Sequence, residues 1–250
     1  MTSNKSGLTE KITPILVIVS ILLAFAVGVL WQKVANFEGG GVKTTATNPV
    51  ADTVVQPQGP TNGKMTDEQA ASIPAITSSD HVRGVSDPEV YLIEYSDYQC
   101  PFCGQFHPTT LQVLDEYSDK VAVVYRHFPL RQIHPQAEPA AQASECVAEI
   151  GGEEAFWKFT DYLFENQDTA LNDFAKSANA IGINGTAVET CLTNEDMAGV
   201  VEEQYQGGIS SGVTGTPGNI IMNKKGEAWI IPGAVPFASI KATLDEALQS

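Results

Sequence analysis

Cys100 and Cys103 stand two residues apart in SDYQCPFCGQFHP, residues 96–108. That spacing serves three chemistries. Two thiols one helical turn apart can cycle between dithiol and disulfide, supply half of a tetrahedral zinc site, or simply fill a core as small apolar residues. A zinc site of this kind takes a second two-residue knuckle. The remaining cysteines, Cys146 and Cys191, stand alone, 43 positions after Cys103 and 45 further on. A thiol at the start of a helix meets unpaired N–H groups and the positive end of the helix dipole, both of which stabilise the thiolate. Pro101 suits the first helical position, where its missing N–H costs nothing. On the redox reading, Cys100 is the exposed attacking sulfur and Cys103 the more buried sulfur that resolves a mixed disulfide.

The surrounding sequence supplies the elements to hold such a pair. EVYLIEYS (Glu89–Ser96) is apolar, aromatic and β-branched, as a buried strand requires. The stretch after the cysteines has helix-like apolar positions at Phe106, Leu111, Leu114 and Tyr117, with Pro108 as a kink. VAVVYRHF (Val121–Phe128) predicts a second buried strand. Residues 134–211 turn helical: an Ala-rich segment ends at Gly151-Gly152, and EEAFWKFTDYLFENQ places Phe156, Phe159, Tyr162 and Leu163 on one face. Strand signals return at Asn219–Asn223 and Glu227–Ile231, with Lys224-Lys225-Gly226 as the hairpin turn. An amphipathic helix closes the chain. This order predicts an α/β sheet with a helical insertion.

Ahead of this body, Ile12–Trp31 is an apolar run, free of charge from Ile15 onward and about long enough to cross a ~30 Å hydrocarbon core. Lys5 and Lys11 precede it. A cleaved secretory signal and a buried core helix are the alternatives; against the signal, Ala24-Phe25-Ala26 lies inside the apolar run with no polar region before it. The expected organisation is a cytoplasmic tail (1–11), a transmembrane signal anchor (12–31), a flexible linker rich in Gly, Thr, Pro, Asn and Gln (32–75) and a folded domain (76–250). Within the linker, Thr66–Pro74 suits one short capped helix. Anchor or signal, the domain is expected outside the cytoplasm at the cell membrane, where disulfides persist. The formal net charge is −16, and Lys5, Glu10, Lys11, Lys33 and Glu38 leave the first forty residues slightly positive, so the body is strongly acidic. Such a surface repels phosphates, which excludes nucleic acid as a partner.

Three segments, YLIEYSDYQCPFCGQFHP, YRHFPLRQIHPQAEPAAQASECVAEIGGEEAFWKFTDYLF and GVTGTPGNIIMNKKG, resemble the DsbA-like thiol:disulfide oxidoreductases of the thioredoxin superfamily, over residues 80–250. Membrane-anchored bacterial forms of that family carry a short linker. The resemblance implies a thioredoxin-like fold with an inserted helical domain at about 134–211, and a redox-active disulfide in place of any cofactor or metal. It implies that Cys100 is the nucleophile and Cys103 its partner. It places Thr216-Pro217 in a loop whose cis-proline sits against the active disulfide and guides substrate chain. TGTPGN read without the resemblance is an ordinary turn, and no Lys-Ser or Lys-Thr follows, as a phosphate loop requires. Glu94, six residues before Cys100, matches a buried carboxylate that moves protons for the buried cysteine; an edge-strand carboxylate facing water is the other reading. The dipeptide Pro101-Phe102 departs from strongly oxidising members, which have histidine where Phe102 stands, so a less oxidising pair than theirs is expected. Some members carry a disulfide corresponding to Cys146 and Cys191, and closing that loop would contribute on the order of 4 kcal/mol; two buried free thiols are the alternative. His107, His127 and His134 are expected in surface or structural roles.

The function so implied is an extracytoplasmic enzyme that introduces disulfides into exported thiol proteins and is reoxidised by a quinone-linked membrane partner of the DsbB or VKOR type. Isomerase or reductase action uses the same residues. From another class, a thiol-based metal-binding module would use the cysteine pair for Cu(I).

Overall fold

The computed structural model describes residues 63–194 and 197–250. In chain order its first elements are β1 (Gly63–Lys64), α1 (Asp67–Ala71), β2 (His81–Gly84), β3 (Val90–Ser96), α2 (Pro101–Glu116) and β4 (Val121–His127). A helical block follows: α3 (Ala137–Gly151), α4 (Glu153–Glu165), α5 (Gln167–Ala170), α6 (Phe174–Ala180), α7 (Gly185–Asn194) and α8 (Ala198–Ser210). The chain then returns to the sheet with β5 (Gly218–Asn223) and β6 (Ala228–Pro232) and ends in α9 (Phe237–Gln249).

The continuous apolar run of β3 is buried because the strand lies inside the sheet and is covered on both faces. The strand order is β1-β6-β5-β3-β4-β2. β3 pairs in parallel with β4, from Val90 opposite Val121 to Ser96 opposite His127, and α2 is the crossover between them. β5 lies antiparallel on the other side of β3 and forms the expected hairpin with β6. Alternation along β3 divides the core in two. Val90 and Leu92 join the larger cluster with Phe106 and Val113 of α2, Ile240 and Leu244 of α9, and the helical block. Ile93 and Tyr95 point the other way, toward Phe128, Val213 and Ile73. There α8 comes close to the sheet: a Cβ on Gly208 would lie 2.8 Å from Phe128 Cε2 and 2.9 Å from Tyr95 Cδ1.

Two expectations are corrected. Residues 63–75 of the expected linker belong to the fold: β1 pairs with β6, Thr66 and Gln69 form a capping box on α1, and Ile73 is buried. Leu111 is 37% exposed; the inner face of α2 is Cys103, Phe106, His107, Thr110 and Val113, two of them polar. A further edge strand, β2, runs antiparallel to β4. Pro108 lies inside α2, as expected. The transmembrane anchor and the rest of the linker lie outside the described residues; among those described, no helix is long and apolar enough to cross a membrane.

Candidate active site

β3 ends at Ser96, and the turn that follows delivers Cys100 to the start of α2. Cys100 occupies the N-cap in extended conformation (φ −70°, ψ 119°), with Pro101 immediately inside the helix. Its carbonyl accepts from the N–H groups of Cys103 (3.1 Å) and Gly104 (3.2 Å), which starts the helix. Asp97, buried within the turn, holds its shape. Oδ1 accepts from the Gln99 N–H at 2.7 Å, while Oδ2 accepts from the Leu130 N–H at 3.0 Å and pairs with His134 Nδ1 at 2.7 Å.

Cys100 and Cys103 are free thiols, 3% and 0% exposed. The expectation of an exposed Cys100 is therefore corrected. The loop before β5 comes over it: the Thr216–Pro217 bond is cis, and the Cys100 thiol donates to the Thr216 carbonyl at 3.5 Å. Pro217 is buried, whereas Phe102, beside the pair, is 57% exposed.

The two sulfurs differ in electrostatics. The Cys103 thiol donates to the Cys100 sulfur; together with the Thr216 hydroxyl and the N–H groups of Cys103 and Phe102, it outweighs burial and holds the Cys100 thiol at about 5. That buried hydroxyl makes no hydrogen bond, so it is free to turn toward the Cys100 sulfur. Burial pushes the Cys103 thiol well above the ordinary range, and the neighbouring Cys100 and Glu94 charges push it the same way. One sulfur is thus an anion at neutral pH and the other holds its proton.

Glu94 is 2% exposed on an inner strand, which removes the solvent-facing reading. It shares a face with Val90 and Leu92, under α2, where the Thr110 hydroxyl donates to Oε2 at 2.9 Å; Oε1 has no partner. Burial raises its carboxyl above the usual carboxylate range, only partly offset by Ser96, His107 and Thr110. Glu94 can therefore carry a proton beside Cys103.

Cys146 of α3 and Cys191 of α7 form a disulfide with Cα atoms 5.9 Å apart. Among the described residues, no three His, Cys, Asp or Glu side chains are gathered to hold a metal ion.

Sequence reading missed several supports. His134 orients on Asp97, and the buried His81 and His127 both meet Glu145, at 3.2 and 2.9 Å. Gln167 reaches the Tyr98–Cys100 turn from the helical block. A charged Glu145 inside the Ala-rich AAQASECVA was the available signal, because a buried carboxylate needs partners.

Residues 77–246 match the sequence model of the family described as Thioredoxin. A Na(+)/H(+) antiporter, NhaA 3 of Salinispora tropica, is 35% identical over 146 residues, covering 58% of this chain and 22% of that protein. NhaA 1 of Mycolicibacterium gilvum is 42% identical over 95 residues, covering 38% of this chain and 15% of that protein. The chain spans about a fifth of the length of the first of these curated relatives and about a seventh of the second. Among solved structures, DsbA2 of Pseudomonas aeruginosa matches with a TM-score of 0.59 at 24% identity, covering 68% of this chain and 96% of that one. The catalytic domain of Proteus mirabilis ScsC matches with a TM-score of 0.59 at 22% identity, covering 74% and 100%. These structural likenesses are of fold.

Proposed function

Since the chain belongs to the thioredoxin family, we propose that it is an extracytoplasmic thiol–disulfide oxidoreductase that introduces disulfides into exported proteins through Cys100 and Cys103, held at the membrane by residues 12–31. The observation that carries this reading is the asymmetric pair: an acidified Cys100 at a helix start beside a buried, protonated Cys103.

In the oxidised enzyme a substrate thiolate attacks Cys100 Sγ. The Cys100–Cys103 bond breaks, a mixed disulfide forms, and Cys103 leaves as a sulfur that takes a proton; Glu94 is placed to supply it. The second substrate thiolate attacks the substrate sulfur of the mixed disulfide and expels Cys100 as a thiolate, a good leaving group because its charge is stabilised. The substrate loses two electrons and gains a disulfide; the enzyme gains the two electrons. A quinone-linked membrane partner of the DsbB or VKOR type then takes them. Stabilising the Cys100 thiolate stabilises the reduced enzyme, which favours oxidation of substrate over its reduction. Phe102, exposed beside the pair, and the Thr216–Pro217 loop form the surface where substrate chain would lie.

Oxidation of a dithiol peptide and reduction of insulin, run side by side with the full chain and with Cys100→Ser, test this. Peptide oxidation lost in Cys100→Ser supports it. Exchange that does not depend on Cys100 overturns it, and insulin reduction outpacing peptide oxidation overturns the direction.

A further inference from the structure

Gln167 opens α5, where the helical block passes over the start of α2. Its side-chain amide is directed at the redox turn: Nε2 donates to the Tyr98 carbonyl at 2.8 Å and to the Cys100 carbonyl at 3.0 Å. These two carbonyls lie on either side of Gln99, within the turn that presents Cys100. The amide also lies close against Gly104. A Cβ at that position would stand 2.8 Å from Gln167 Cδ and 3.2 Å from Nε2, and closer still to Oε1. Any side chain at residue 104 therefore displaces the amide or the helix start. The sulfur whose charge depends on the N–H groups of Phe102 and Cys103 is carried by the same turn.

We propose that Gln167 is a positioning residue of the redox site. Its amide fixes the Tyr98–Cys100 turn against the first turn of α2, and Gly104 is the space it requires. Gln167 and Gly104 act as one unit, so the helical block sets the geometry at Cys100 rather than only covering it. This rests on the reading of Cys100–Cys103 as a redox pair.

The test uses the full chain as wild type, Gln167→Ala, Gly104→Ala, the double variant, and Gln167→Glu. The last keeps the side chain's size but sets an anion against two carbonyls, so its effect is not that of a void. Two quantities are read: the midpoint of the Cys100 thiolate by its ultraviolet absorbance, and the equilibrium constant of the pair with glutathione. Each single variant is expected to raise the thiolate midpoint by about one unit and to move the equilibrium about tenfold toward the enzyme disulfide. The double variant should move no further than either alanine variant alone, because both remove the same contact. The proposal is overturned if Gln167→Ala and Gln167→Glu retain wild-type values, or if the double variant shows the sum of the two single shifts. A wild type with no Cys100–Cys103 equilibrium overturns the redox reading along with this one; a normal wild-type equilibrium with unmoved variants overturns this one alone.

Discussion

The reduction potential of the Cys100–Cys103 pair should change slope near pH 5. The disulfide binds no proton. In the dithiol, Cys103 keeps its proton well beyond neutral pH, while Cys100 loses its own at about 5. Below that point, two protons accompany two electrons and the potential falls by about 59 mV per pH unit; above it, one proton does, and the slope halves to about 30 mV. The Cys100 thiol is depressed, so the extra stability of the reduced form is absent below pH 5 and grows as pH rises. Growth ends near ~8.5, where an ordinary thiol also ionises. At pH 7 the two intervening units favour the reduced form by roughly 100-fold over an unperturbed pair. At about 30 mV per tenfold, that makes the pair about 60 mV more oxidising. Equilibration with glutathione buffers from about pH 4 to about pH 9, followed by acid quenching and alkylation, reads the potential at each step across the range where thiols titrate. A single slope running unbroken through neutral pH would refute the electrostatic argument, because it would mean that the N–H groups, the Thr216 hydroxyl and the Cys103 thiol fail to outweigh burial.

Glu94→Gln keeps the shape of the carboxyl but carries no exchangeable acid proton. Breakdown of a mixed disulfide at Cys100 by Cys103 should slow about 100-fold, while the Cys103 thiol becomes easier to ionise because the Glu94 charge no longer opposes it; stopped-flow rates equal to wild type would remove Glu94 from the proton path. Replacing Cys146 and Cys191 together by alanine should cost about 4 kcal/mol in urea unfolding and leave peptide oxidation in place, and partial reduction followed by mass spectrometry should find two reducible bonds in the oxidised protein, that of Cys100–Cys103 opening first. Stability should also depend on pH through Glu145. Burial opposes its charge, but His127 and His81 hold its carboxyl at about 2, so its contribution is present above the usual carboxylate range and lost as pH falls toward 2. Burial likewise opposes the His81 charge, but Glu145 and Glu153 raise the group to about 9, so its contribution is full below ~6.5 and lost as pH rises through 9. Urea midpoints should therefore be highest between these windows, and Glu145→Gln should flatten both limbs; unchanged limbs in that variant would assign the dependence elsewhere.

The parts of the fold legible from sequence are those specified by local pattern. The apolar run of β3, the helix start at Pro101, the parallel partner β4 and the hairpin turn at Gly226, with φ of 82°, each carry their own signal. β2 carries none: HVRG contains one β-branched residue, and its place comes from pairing with β4 and from Arg83 clamping Asp161 through two hydrogen bonds of 2.8 and 2.9 Å. The site divides the same way. Cys100, Cys103 and Glu94 lie within ten residues of one another, so strand and helix geometry alone relates them. The supports are long-range. His134 reaches Asp97 across 37 positions, Glu145 reaches His81 across 64, and Gln167 reaches Tyr98 across 69. A periodicity cannot encode such contacts. Leu111 shows the converse: the apolar count assigned it inward, but the polar Thr110 and His107 occupy the inner face, where Thr110 donates to Glu94 and His107 lies 3.1 Å from Asp161.

On the proposed reading, position within a helix divides the two cysteine pairs into two roles. Cys146 lies in the body of α3 and Cys191 in the body of α7, both in a packed core where no helix start offers free N–H groups to a departing anion. Exchange at such a bond must expel a thiolate into apolar surroundings, which raises its barrier and leaves the bond a structural tie between helices. Cys100 sits at the one place on α2 where N–H groups have no helical partner, so its anion is stabilised and it leaves readily. Cys103, one turn further in, takes the opposite environment and keeps its proton. The chain thus needs no difference in sulfur chemistry to obtain an exchanging pair and an inert one. A helix N-terminus at Cys100, a buried carboxylate at Glu94 and the Thr216–Pro217 loop over the sulfur are enough to separate them.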